Sequence, residues 1–188
     1  MYPHAELIPR ARKQAALRGT ALHILLRNTD PGICRTGEDA RMLIRALVSR
    51  GALTEEQAAL CDPKVALSFS ISALGRRVLD AKRVLREYEF GVLMDAGELL
   101  QDGPAGERIL MNGAIDLLLF EDGGLTGIDF KSDRVFPGGE AAKAEEHRLQ
   151  LQIYGRAAEE VFGLPVREKL IWFIETGTAV PVKQGAKL

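Results

Sequence analysis

The 188-residue chain holds only two cysteines, Cys34 and Cys61, far apart and without a Cys-x-x-Cys or Cys/His cluster beside either. Its own residues therefore cannot build a four-cysteine zinc or iron–sulfur centre, and at this size a disulfide framework is unnecessary. Buried free thiols are expected. An excess of one charge is also lacking, since 25 Lys+Arg against 26 Asp+Glu leave a net −1. No whole-protein field draws in phosphate, so any contact with nucleic acid must be local. No apolar run nears the roughly 20 residues that span a bilayer, and residues 1–10 show no signal-like core. A soluble, cytoplasmic protein with no membrane partner is expected. The Gly-x-x-x-x-Gly-Lys-Ser/Thr phosphate loop is missing, which leaves the chain without an ATP motor of its own.

What is present is an ordinary globular composition, 46% hydrophobic and 27% charged, enough for one domain with a real core. Leu17, Leu22, Leu25 and Leu26 recur near helical spacing and predict a helix over 10–28, closed by Asp30-Pro31-Gly32. Helices follow over 37–50, 54–61 and 70–83, the second opened by a capping box in Thr54-Glu55-Glu56-Gln57. From Val84 the period turns toward two, predicting strands over 84–94, 107–120, 125–131 and 169–175. A long helix over 140–162, stopped by Gly163 and Pro165, lies between the last two. The expected arrangement is one α/β domain over 1–188: a tether (1–9), a mainly helical part (10–83), and a mixed sheet with a crossover helix (84–182).

The chemistry concentrates in a predicted hairpin. Asp122-Gly123 between two apolar runs reads as a two-residue type I′ turn. Counting back from that turn pairs Glu121 with Gly124 and Leu119 with Thr126, and sets Asp116 opposite Asp129. Opposed residues share a face with Cβ atoms about 5 Å apart, and Lys131, two residues past Asp129, points the same way. Two carboxylates so placed repel by roughly 3 kcal/mol at an effective dielectric near 20, so something positive must compensate. One answer is Lys131 bridging both acids; another is a one-residue slip that sends the acids to opposite faces. A third is a divalent ion on carboxylate oxygens, an intervening backbone carbonyl and water, the donors Mg²⁺ or Mn²⁺ prefers. Two acids and a lysine on strands otherwise made of aliphatics favour the third.

Gly113-x-x-Asp116 followed by Asp129-Phe130-Lys131-Ser132-Asp133 resembles the core of the PD-(D/E)XK nucleases, in particular their RecB-like branch. Arg18-Gly19-Thr20-Ala21-Leu22-His23 resembles that branch's GTxxH motif, and Arg86-Glu87-Tyr88-Glu89-Phe90 its RE-x-P-F strand, with Glu89 in place of the proline. Gln150-Leu151-Gln152-Ile153-Tyr154 is similar to its QxxxY helix. The motifs follow the family's order across most of the chain and are most similar to the nuclease domain of AddA-type helicase–nucleases.

The resemblance implies a restriction-endonuclease-like α/β fold and a metal-dependent deoxyribonuclease, an exonuclease working on DNA ends in double-strand-break repair. It implies a helicase subunit or attached helicase domain as partner, and Mg²⁺ or Mn²⁺ without an iron–sulfur cluster. By it, His23, Asp116, Asp129 and the Phe130 carbonyl hold the metal, with Glu87 nearby, while Lys131 positions the nucleophile or stabilises negative oxygen. Gln150 and Tyr154, one helical turn apart and so on one face, address a phosphate or orient Lys131. Without the resemblance, His23 reads as a core histidine, Tyr154 equally as a core aromatic, and His147 as surface. Two basic runs, Arg10, Arg12, Lys13, Arg18 and Arg76, Arg77, Lys82, Arg83, Arg86, are candidate phosphate tracks. The rival reading is a catalytically silent nuclease-fold domain kept for DNA binding or helicase contact.

Overall fold

The computed structural model describes residues 4–99, 106–136 and 138–183. Within them the chain forms two compact units that divide between Leu79 and Asp80.

The N-terminal unit is helical: α1 (His4–Arg27), α2 (Gly37–Ser49), α3 (Glu55–Ala58), α4 (Pro63–Ile71) and α5 (Ala73–Asp80). α1 starts six residues ahead of the expected position, so residues 4–9 of the expected tether are helical, and residues 1–3 lie outside the described residues. Both α2 and α3 open on reciprocal capping boxes, Thr36 with Asp39 and Thr54 with Gln57, satisfying amides that a helix start leaves orphaned. The predicted single helix over 70–83 is instead the end of α4 and a separate α5. Ser72 makes the break: its hydroxyl donates to the Phe69 carbonyl at 2.6 Å and accepts from the Gly75 amide at 2.9 Å. A Cβ on Gly75 would stand 2.4 Å from the Phe69 and Ser70 carbonyl oxygens, so only glycine permits that corner. α4 escaped prediction although Asp62-Pro63 carries its start, an N-cap acid followed by proline in the first turn. Both cysteines are buried and free; the Cys61 thiol points at the Ala21 carbonyl (3.7 Å), and burial pushes its pKa up to about 11.

The C-terminal unit is a mixed sheet: β1 (Arg83–Asp95), α6 (Ala96–Leu99), β2 (Arg108–Glu121), β3 (Gly124–Lys131), α7 (Glu140–Glu146), α8 (Arg148–Phe162), β4 (Val166–Phe173) and β5 (Thr178–Pro181). Its strands lie in sequence order β1-β2-β3-β4-β5. All neighbours are antiparallel except β3 and β4, which are parallel. A parallel pair needs a crossover, and α7 and α8 supply it. The expected long helix breaks at His147, which ends α7 and precedes α8 without a side-chain cap. Gly163 closes α8 in the left-handed conformation at φ 65°, as its sequence punctuation predicted. β5 was not foreseen.

Burial explains the sheet's position. Leu118, Leu125 and Val166 pack with Ala157 and Ala158 of α8 in one cluster, and Ile171 and Phe173 pack with Ala144 of α7 and Leu151 of α8 in another. Leu117, Leu119, Ile128, Phe130 and Trp172 are fully buried as well, so both faces of the central strands are hydrophobic, as the continuous aliphatic runs implied.

Candidate active site

The hairpin register is the one counted from the turn: Glu121 pairs with Gly124, Leu119 with Thr126 and Leu117 with Ile128. The paired register ends at that step, one residue short of Asp116 and Asp129. The bend itself differs from expectation, because positive φ falls at Gly123 (89°) and not at Asp122, whereas a type I′ turn needs it at both. Gly124 (φ 152°) takes up the difference; a Cβ there would stand 2.3 Å from the Pro165 carbonyl oxygen.

At Asp116 the β2–β3 ladder gives way to a side chain. Asp116 Oδ2 accepts a hydrogen bond from the Phe130 amide at 2.6 Å, tying the β2 carboxylate to the backbone beside Asp129. On the other side Asp116 and Glu87 fall at the one step that the β1–β2 register skips, between Arg86 with Leu117 and Tyr88 with Ile115. Glu87 is the one non-glycine among the described residues with positive φ, 50°, a conformation costing an L-residue about 1–2 kcal/mol. Face alternation also breaks here: Ile115 and Leu118, which strict period two separates, belong to one core cluster. Strain and broken alternation coincide at the two acids that the motifs single out, where functional sites commonly store strain.

The lysine is held from two directions. Lys131 Nζ lies 2.8 Å from Asp129 Oδ2 and donates to Gln150 Oε1 at 2.9 Å. Gln150 Nε2 in turn donates to the Tyr154 hydroxyl at 2.7 Å, so four side chains from β3 and α8 form one relay. Helical spacing explains it, since residues four apart stack on one face of α8. Tyr154 is braced by an edge-on contact with Phe90, centroids 5.6 Å apart. That contact needs Gly113, where a Cβ would come within 2.8 Å of the Phe90 ring and 3.4 Å of Tyr154. The glycine of the Gly113-x-x-Asp116 motif thus serves the tyrosine of the QxxxY motif.

Electrostatics place these groups together. Burial raises the Tyr154 pKa, hydrogen bonding from Gln150 opposes the rise, and the charges of Asp129, Asp116 and Glu87 add to it. The phenol therefore stays protonated and can donate. Asp116 and Asp129 are buried at 8% and 3% exposure, and such carboxylates persist only with partners.

Among the described residues no three His, Cys, Asp or Glu side chains gather into a metal cage. What the hairpin offers is two carboxylates and the Phe130 carbonyl, all hard oxygen donors. That set fits Mg²⁺ or Mn²⁺ with water completing the shell, and fits a thiolate-seeking ion poorly. His23 sits half-buried on α1 in the other unit, and its assignment as a ligand rests on its motif alone.

His147 corrects the sequence reading. Expected on the surface, it is largely covered, with Nε2 buried and 3.7 Å from Asp133 Oδ2. Burial and then the Lys131 charge hold its pKa below the usual histidine range, against the pull of Asp133. Its place three residues before Gln150 was the available signal. Glu89, by contrast, is exposed. Of the second basic run, Lys82 pairs with Asp122 and Arg83 lies over the Phe120 ring at 5.2 Å, and Arg77 and Arg86 are not free either.

A mixed sheet with flanking helices and a hairpin carrying two acids and a lysine is a restriction-endonuclease-like architecture. The sequence model of the PD-(D/E)XK nuclease superfamily matches residues 3–186, and the chain belongs to that superfamily. Among individual proteins, it is similar to the AddA-type subunit of the ATP-dependent helicase/nuclease of Bacillus cereus strain Q1, 39% identical over 178 residues, which cover 90% of this chain and 14% of the relative. The corresponding protein of Bacillus thuringiensis subsp. konkukian strain 97-27 is 39% identical, and that of Bacillus anthracis 38%, over the same shares. The chain spans 14% of the length of these relatives. Among the described residues no helix is long and apolar enough to cross a membrane.

Proposed function

We propose that the chain is a divalent-metal-dependent deoxyribonuclease, an exonuclease acting at DNA ends in double-strand-break repair, working with a helicase subunit or domain. The observation that carries this reading is the Lys131 ammonium fixed between Asp129 and Gln150, with the Asp116 carboxylate held on the amide of the preceding residue, Phe130. Similarity to the AddA-type subunit of ATP-dependent helicase/nucleases supports the helicase association.

In this reading Asp116, Asp129 and the Phe130 carbonyl hold Mg²⁺ or Mn²⁺. When bound, such an ion acidifies a coordinated water and offsets charge gathering on the phosphate. Lys131, prevented from wandering by two partners, presents its remaining N–H to the attacked phosphate or to the incoming nucleophile. Gln150 sets the lysine's direction, and Tyr154, protonated and braced by Phe90, donates to a phosphate oxygen. Glu87, at the step of the β1–β2 register that it shares with Asp116, orients water or a second ion.

The test is incubation with end-labelled single-stranded and linear duplex DNA, in Mg²⁺ or Mn²⁺ and then in EDTA. Progressive loss of the label from ends, stopped by EDTA, is the expected result. DNA binding without cleavage in any metal would replace this reading with that of a catalytically silent domain.

A further inference from the structure

Beyond Lys131 the chain leaves the carboxyl edge of the parallel β3–β4 pair, where open α/β sheets receive ligands. This segment is tethered at four points. Asp133 lies 3.8 Å from Lys143 Nζ and 3.7 Å from His147. Val135 packs against the Ile171 and Phe173 cluster. The Gly139 amide donates to the Phe136 carbonyl at 2.8 Å, and the Gly138 amide to the Glu140 carboxylate at 2.8 Å. On this anchored turn Phe136 is 88% exposed, more than any other large hydrophobic among the described residues. Arg134, also exposed, stands two residues before it. Burying a phenylalanine gains about 1.5–3 kcal/mol, so a tethered turn that presents the ring to water forgoes that gain unless something covers it.

We propose that Phe136 is a stacking platform for an unpaired nucleobase of the strand held at Asp116, Asp129 and Lys131, with Arg134 contacting the adjoining phosphate. Every base has a flat π-face and every linkage a negative charge, so an exposed ring with a cation beside it is a sequence-tolerant grip on single-stranded DNA. Five residues separate Phe136 from Lys131, which limits the distance to about 18 Å, a few nucleotides from the cut. A base inside a duplex has no free face to offer, so the grip selects single strands or frayed ends. The proposal rests on the nuclease reading for its strand, but its test does not require cleavage.

Binding is read by fluorescence anisotropy in EDTA, with labelled oligothymidylate and with an abasic oligonucleotide of equal length and charge. Phe136→Ala is expected to weaken oligothymidylate binding about tenfold or more. Phe136→Trp should restore it, both variants should melt with the parent, and on the abasic strand all three should bind alike. Equal oligothymidylate affinity of Phe136→Ala and parent, equal losses on both strands, or no binding by the parent overturns the proposal and assigns the ring to a protein contact. Failure of the parent to cleave in metal would sink the nuclease reading while leaving a base-dependent loss in place.

Discussion

The two ends of the β2–β3 hairpin are built from the same ribbon on opposite principles. At the turn end, Glu121 to Gly124 obey local rules, with regular register, glycine at positive φ, and a Lys82–Asp122 ion pair left in water. At the other end the rules lapse. Asp116 and Asp129 are buried, Glu87 on the adjoining β1 is strained, alternation breaks, and a lysine is held against an acid. One end is organised for folding, whereas the other accepts costs that folding does not require, which is how functional sites depart from sequence rules.

Substitutions at the acidic end should change chemistry far more than folding. Asp116→Ala, Asp129→Ala and Lys131→Ala should each lower turnover at least about 100-fold, the scale of removing one preorganised charge-stabilising group, with unchanged far-ultraviolet circular dichroism. Normal turnover in all three would erase the contrast between the ends. Gln150→Ala should lower kcat about tenfold with little change in KM, because Lys131 keeps Asp129 but loses its direction.

Backbone strain gives the two ends opposite signs. Gly123→Ala places a Cβ at φ 89° and should cost about 1 kcal/mol in urea unfolding, with cleavage retained. Glu87→Gly relieves φ 50° and should gain at most about 1 kcal/mol once the entropy of glycine is counted, while cleavage falls. A loss of stability in Glu87→Gly would mean that its conformation is not strained in this setting.

Titration supplies the smallest effects. The folded pKa of His147 lies below its unfolded value, so the stability tied to its neutral form is present above pH of about 6.5. That contribution is lost as pH falls from there through the folded value. His147→Gln should therefore flatten the acid-side decline of Tm between about pH 7 and 5, and an unchanged slope would argue against its burial beside Lys131.

The register of the hairpin was legible from Asp122-Gly123 and the aliphatic runs, because a period of two leaves few alternatives once one face is buried. Gln150 and Tyr154 were legible as a pair from helical spacing, and it is Gln150 that meets Lys131. The break at His147 was not, because nothing in local propensity stops a helix there. Nor was the positive φ of Glu87, since glutamate carries no local signal for that conformation. Gly113 was visible as a motif letter, but its reason, the space needed by Phe90 and Tyr154, belongs to packing between β1, β2 and α8.

The central claim is that Asp116 and Asp129 together hold a divalent ion. Mn²⁺ titration followed by electron paramagnetic resonance, on the parent and on Asp116→Asn and Asp129→Asn, tests it without DNA or turnover. Saturable binding in the parent that either substitution abolishes is the predicted result, and equal binding by all three proteins, or none by the parent, would contradict it.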